Sequence, residues 1–206
     1  MIASSSRLDT LDQNARTSAI AIFPLNLVLF PDSPLALKIF EQRYQEMTKI
    51  CLRDELPFGV CRIRDGQEVG VPANHDRIGC SARIRDWEMP HPGLYHLNCV
   101  GEGAFQIIDS QVGDNGLIHG NVEWLVETEG AIDSRAFDLC RGALERFVEH
   151  AGNRFVAGPP RLDDAVWVSY RLAEILPVET QIKQDLLELR STALRISRIA
   201  DLLQSV

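Results

Sequence analysis

The sequence predicts an α+β chain: a β-rich N-terminal part holding one helix, followed by a C-terminal helical bundle. Three observations predict it. Short β-branched and aromatic runs, punctuated by Pro, Gly, Asn and Asp, recur from Ala19 to Val126. A single helical period interrupts them between Phe40 and Cys51. From Ser134 onward the apolar residues keep helical spacing to the end.

Residues 1–17 are polar and aperiodic and read as a flexible N-terminal arm. A β-rich lobe is expected over 18–130 and a helical subdomain over 131–206. The run from Ala19 to Phe23 is expected to stop at Pro24, and that from Leu27 to Phe30 at Pro31, because proline cannot donate to a ladder. Leu35 to Ile39 is a third extended segment. Phe40, Tyr44, Met47, Ile50 and Cys51 then form the apolar stripe of a helix, with Glu41 in its first turn. Phe58 to Ile63 and Ile78 to Trp87 read as strands, with a turn at Pro90-His91-Pro92-Gly93. Leu94 to Val100 and Ala104 to Asp109 flank Gly101-Glu102-Gly103, read as a tight connection. Asp114-Asn115-Gly116 turns the chain into a last strand, Leu117 to Leu125.

In the helical part, Phe137, Cys140, Leu144, Phe147 and Val148 make one stripe. Val166, Tyr170 and Ala173 make another, with Asp163 and Asp164 near its N-terminus. Pro177 suits the first turn of a further helix carrying Ile182, Leu186, Leu187 and Leu189. Leu194, Ile196, Ile199, Leu202 and Leu203 complete the last, and the segment from Ala151 to Arg161 is the expected flexible joint.

Composition narrows the function. The 206 residues are 45% hydrophobic and 24% charged, so a sizeable core needs no disulfide or metal. The formal charge is −8, from 21 basic against 29 acidic residues, which opposes general attraction to nucleic acid or anionic membranes. No apolar stretch reaches spanning length and no leader-like segment opens the chain. Five widely spaced cysteines fit a reducing cytoplasm. A metal would need Cys80 or Cys99 to meet His91 or His96 in space; buried free thiols are the preferred reading, and no cofactor is expected.

No catalytic residue is assigned. Glu41 and Arg43 read as a structural pair, and Ser33 and Ser81 lack a G-x-S-x-G elbow. Gly101-Glu102-Gly103 leads into a strand-like run, so no helix N-terminus would face an anion there. Trp87, Met89 and Tyr95 around a proline-rich loop suit an adaptable apolar surface for extended peptide, or else Trp87 lids the barrel.

The residues also carry a resemblance. Phe23-Pro24-Leu25-Asn26-Leu27-Val28-Leu29-Phe30-Pro31, with two Phe-Pro pairs around an apolar run, is similar to the opening of the Lon protease N-terminal domain family. Leu37-Lys38-Ile39-Phe40-Glu41-Gln42-Arg43-Tyr44 resembles its Ile-Phe-Glu-x-Arg-Tyr block. Phe58-Gly59-Val60, Gly79-x-x-Ala82, Gly101-x-x-x-Phe105, Ala173-Glu174-Ile175-Leu176-Pro177 and Gln184-x-Leu186-Leu187-Glu188 follow in the family's order. The resemblance implies a PUA-like pseudo-barrel before the bundle. It makes Phe23, Pro24, Phe30, Pro31, Phe40, Glu41, Arg43, Tyr44, Gly59 and Gly101 structural signature positions. It further implies a polypeptide-binding module, an adaptor or regulator in protein quality control, that binds a protein partner as a monomer or weak dimer. The sequence has no G-x-x-x-x-G-K-[ST], so ATP-driven proteolysis is not expected, and nothing in the resemblance supplies a peptidase dyad. The cleft between barrel and bundle is the expected groove for an extended segment, held by strand-edge hydrogen bonds and apolar pockets. The alternative is a small-molecule-binding regulatory domain or a hydrolase using the same cleft.

Overall fold

The computed structural model describes residues 17–128, 130–151 and 158–204. Six strands make one sheet: β1 (Thr17–Leu25), β2 (Pro34–Ile39), β3 (Phe58–Asp65), β4 (Asn74–His91), β5 (Leu94–Val112) and β6 (Ile118–Trp124). Helix α1 (Gln42–Asp54) lies between β2 and β3. After β6 come α2 (Ser134–Ala151), α3 (Ala165–Ile175), α4 (Thr180–Glu188) and α5 (Thr192–Gln204). Of the expected arm, residues 1–16 lie outside the described residues, whereas Thr17 already belongs to β1; residues 152–157 of the expected joint also lie outside.

The sheet runs β2-β5-β4-β3-β1-β6, and a further β5–β6 pairing closes it into a barrel. Among the described strand pairs β1–β3 alone is parallel. The long strand β5 serves two partners on one edge: β2 along Tyr95 to Val100, and β6 along Phe105 to Val112. Gly101 sits where the partner changes. It is part of a continuous strand, not of a tight connection. A Cβ there would come within 2.1 Å of the Phe30 carbonyl oxygen, so glycine permits two main chains to touch. The true turn of the β4–β5 hairpin is short, with His91 opposite Leu94 and Gly93 at φ 82°.

Other expectations shift for physical reasons. Pro24 does not end β1. Pairing with β6 stops at Ile22, so Pro24 has a ladder on the β3 side alone and its missing N–H is tolerated. Leu27 to Phe30 forms no strand but buries Leu29 and Phe30 as a linking segment. Glu41 is the N-cap residue of α1, just outside its first turn. Pro177 precedes the Glu179 N-cap and lies in the connection before α4.

Three apolar clusters organise the interior. Ile20, Ile22, Phe105, Ile107 and Val122 fill the closed end of the barrel. Beneath β2 and the first half of β5, Leu35, Ile39, Tyr44, Met47 and Leu97 pack with α1 as the plug. The third cluster joins barrel to bundle: Phe30 packs with Leu144, Trp167, Tyr170, Leu186 and Ile196. The second Phe-Pro pair is thus the junction between the layers, with the Phe30 ring 5.9 Å from that of Tyr170.

Candidate functional site

Buried cations fix the junction. Arg195 on α5 is fully buried; it donates to both Glu127 carboxylate oxygens at 3.0 Å, to Ser169 Oγ at 2.8 Å and to the Leu189 carbonyl at 2.6 Å. Its guanidinium lies 3.8 Å from the centroid of the Tyr170 ring, and the Tyr170 hydroxyl donates to Glu127. Thr192 Oγ1 donates to the same carboxylate at 2.7 Å. Arg171 on α3 reaches the Pro31 carbonyl and Ser33 Oγ in the barrel link and pairs with Glu174. Burial lowers the Arg171 pKa and raises that of Glu174, the two penalties offsetting through their mutual attraction. The sequence signal for this network is spacing: Thr192, Arg195, Ile196 and Ile199 fall at i, i+3, i+4 and i+7, which places an arginine on a core face.

Between barrel and bundle lies a cleft of about 290 Å³ lined by Asp32, Glu102, Val126, Glu127, Tyr170 and Arg190, among others. Its most interior polar groups, Glu127 and Tyr170, are held by the network just described. A second groove, of about 380 Å³, opens between α4 and α5 over Ile182, Leu186, Leu189 and Leu194. Leu194, expected on the buried stripe, is 60% exposed at the mouth of that groove, because the buried face of α5 runs through Ile196, Ile199 and Ala200.

Part of the exposed apolar surface of the barrel lies around β2 and the hairpin. Phe40 was expected on the helix stripe; it precedes the helix and is 54% exposed. Trp87 is 46% and Met89 44% exposed, whereas Tyr95 is buried with its ring 5.8 Å from that of Trp87. Gln45 ties these pieces together: its Nε2 donates to the Phe40 carbonyl at 2.8 Å and to the Gly93 carbonyl at 2.9 Å. Phe40 and the hairpin turn therefore share one end of the molecule. From Phe40 a groove of about 300 Å³ runs along β2 between Leu37 and the Leu27 and Val69 side, over Tyr44, with Glu41 and Glu68 at its margin. Nothing in the sequence pattern reveals this groove, since Leu27 and Val69 belong to loops.

The remaining signature residues are interior. The Phe23 ring packs tilted against Tyr44, centroids 4.1 Å apart, and lies 6.3 Å from that of Phe58; Pro24 is buried. Arg43 pairs with Glu41 at 3.1 Å, donates to the Gly116 carbonyl at 3.2 Å and lies over the Tyr44 ring. Glu41 also accepts from the Gly70 amide at 3.1 Å, which anchors the loop that carries Val69. A Cβ at Gly59 would meet the Phe105 ring at 2.6 Å. Burial pushes the Tyr44 hydroxyl up to about 12.

All five cysteines are buried free thiols. Cys80 and Cys99 lie in the barrel core, while His96 faces Glu88 at 3.0 Å on the other side of the sheet. Among the described residues no group of three or more His, Cys, Asp or Glu converges as a metal set. No helix among them is long and apolar enough to cross a membrane.

Comparison with known proteins gives a consistent relationship. The chain is similar to a Lon N-terminal domain protein from Xanthomonas campestris, at 32% identity and a TM-score of 0.72, covering 88% of this chain and 96% of that one. It shares its fold with the N-terminal domain of the Mycobacterium avium complex Lon protease, at 12% identity and a TM-score of 0.61, covering 89% and 97%. No curated protein matches it in sequence. The model of the ATP-dependent protease La (LON) substrate-binding domain matches residues 19–205, and the chain belongs to that family.

Proposed function

We propose that this protein is a polypeptide-binding module that captures exposed apolar segments of client proteins and acts as an adaptor or regulator in protein quality control. The observation that carries the reading is the set of half-exposed apolar side chains, Phe40, Trp87 and Met89, gathered at one end of the barrel around the Gln45 tie. A contiguous exposed apolar surface beside a groove is the usual mark of a protein-binding site. Methionine and tryptophan suit clients of varied sequence, since one adapts its shape and the other offers a large rigid face.

The reading treats 18–130 as the recognising lobe and 131–206 as its support, joined by the Phe30 and arginine contacts. It also places the protein in a reducing compartment, which its free cysteines favour. The cleft between barrel and bundle favours the small-molecule alternative less, because the Glu127 carboxylate already accepts from Tyr170, Thr192 and Arg195.

The test is titration of a fluorescently labelled, reduced and carboxymethylated globular protein, which cannot refold, with the purified chain. Saturable binding that falls in Trp87→Ala and Met89→Ala is expected. Absence of binding to any unfolded chain would refute the reading. Capture of an ATPase or protease at stoichiometric level would give the adaptor role its partner.

A further inference from the structure

The free edge of β2 has a geometry that specifies how a bound chain would lie. Among the described residues β2 ends the sheet order and is bonded only to β5. The Ser33 carbonyl accepts from the Gly101 amide at 2.9 Å. Bonding in an antiparallel ladder alternates, so Leu35, Leu37 and Ile39, opposite Cys99, Leu97 and Tyr95, direct their main-chain groups to β5. The N–H and C=O groups of Ala36 and Lys38 therefore point away from β5, along the open edge.

Two cavities flank that edge, one on each face of the sheet. The inner is the apolar groove of about 300 Å³ beside Leu37 and Phe40. The outer is a trough of about 370 Å³ over Ala36, Lys38, Asp86, Glu88, His96 and Asn98. Side chains of an added strand would alternate between them. The inner cavity takes apolar groups. At the strand the outer one carries the Ala36 methyl and the Lys38 side chain, with the Asp86 and Glu88 carboxylates beyond, and beside Ala36 it suits a long basic group. The chain's charge of −8 and the Glu68 carboxylate beside the groove favour the same sign.

We infer that β2 binds its client by strand addition, and that the client is an extended segment in which apolar residues alternate with Lys or Arg. The inference rests on the polypeptide-binding reading and adds the register, the main-chain partners and the side-chain pattern. Pro34 and Lys38 are devices that keep edges from indiscriminate pairing. Here they confine addition to the short stretch around Ala36, so side-chain pattern, not main-chain pairing alone, decides which segments bind.

The experiment uses fluorescence anisotropy with three labelled peptides of about eight residues, an ordinary strand length. One alternates Val and Lys. The second has the same composition in two blocks. The third is the alternating peptide N-methylated at every second amide, with both phases of methylation prepared. The alternating peptide should bind about tenfold more tightly than the block peptide, and one phase of methylation should weaken it about tenfold, as loss of edge hydrogen bonds would. Ala36→Pro, which removes an outward N–H while sparing the β5 ladder, should weaken the alternating peptide similarly and leave the block peptide unchanged. Because the methylated peptides test wild-type protein, a misfolded variant does not decide the matter. Equal binding of all peptides, with the unfolded protein still bound, would overturn strand addition and leave polypeptide capture standing. Failure to bind the unfolded protein as well would overturn both.

Discussion

The barrel–bundle junction and the β2 edge treat polar and apolar groups in opposite ways. At the junction, two arginines are almost wholly buried and held by carboxylates, hydroxyls and carbonyls. At the β2 edge, main-chain groups of one strand are left open and Phe40, Trp87 and Met89 face solvent. The difference teaches where this fold invests in rigidity. Buried charges demand full pairing and fix one geometry, whereas an open edge beside apolar groups costs little folded stability and remains available to a partner.

Breaking the junction should give the largest effect. Arg195→Met leaves Glu127 without its cationic partner, and a loss of about 3 kcal/mol is expected in urea unfolding, at the low end for a broken buried pair because Glu127 is partly exposed. Combined with Glu127→Gln, the loss should be smaller than the sum, which a double-mutant cycle would show. Gly101→Ala forces a methyl against the Phe30 carbonyl and should cost about 1–3 kcal/mol by thermal or urea unfolding. An unchanged midpoint would mean that the link carrying Phe30 yields readily.

Alkaline pH sharpens the contrast differently, because buried thiols respond while the open edge does not. Burial pushes Cys51 and Cys140 up to about 11 and Cys99 to about 12, from an ordinary 9.0. A group whose folded pKa is raised stays protonated in the fold while the unfolded chain ionises. Its contribution is therefore complete below pH 9 and is lost as pH rises toward 11–12. Stability should fall across that window, by up to about 1.4 kcal/mol per pH unit for each such thiol. Urea midpoints across the window would show it, and native thiol labelling should be slow at neutral pH.

The smallest change in stability belongs to the proposed binding surface. Phe40→Ala and Trp87→Ala should each move unfolding by no more than about 0.5 kcal/mol. The same substitutions should weaken capture of unfolded protein by about 1 kcal/mol or more, as truncation of an aromatic anchor does. Loss of stability without loss of binding would make these residues part of the core.

Fold class was legible because it rests on period: alternation with turns, one helical stripe, then helices to the end. The order of the short motifs located the family. What stayed hidden depends on residues distant in sequence. Gly101-Glu102-Gly103 has the composition of a turn, and only the approach of Phe30 explains its place inside a strand. Phe40 shares the helical spacing of Tyr44 and Met47, yet the N-cap at Glu41 leaves it outside the helix. Trp87 and Met89 were visible as an apolar pair beside prolines, but the groove beside them needs Leu27 and Val69, which no local pattern joins.

The pairing of β1 bears on how the chain is made. The outer edge of β1 from Thr17 to Ile22 is covered only by β6, whose residues Ile118–Trp124 leave the ribosome about a hundred positions later. Until then the nascent chain carries an apolar strand with an unclosed side. Pairings this distant in sequence also slow closure. Over that interval the nascent chain would itself need shelter.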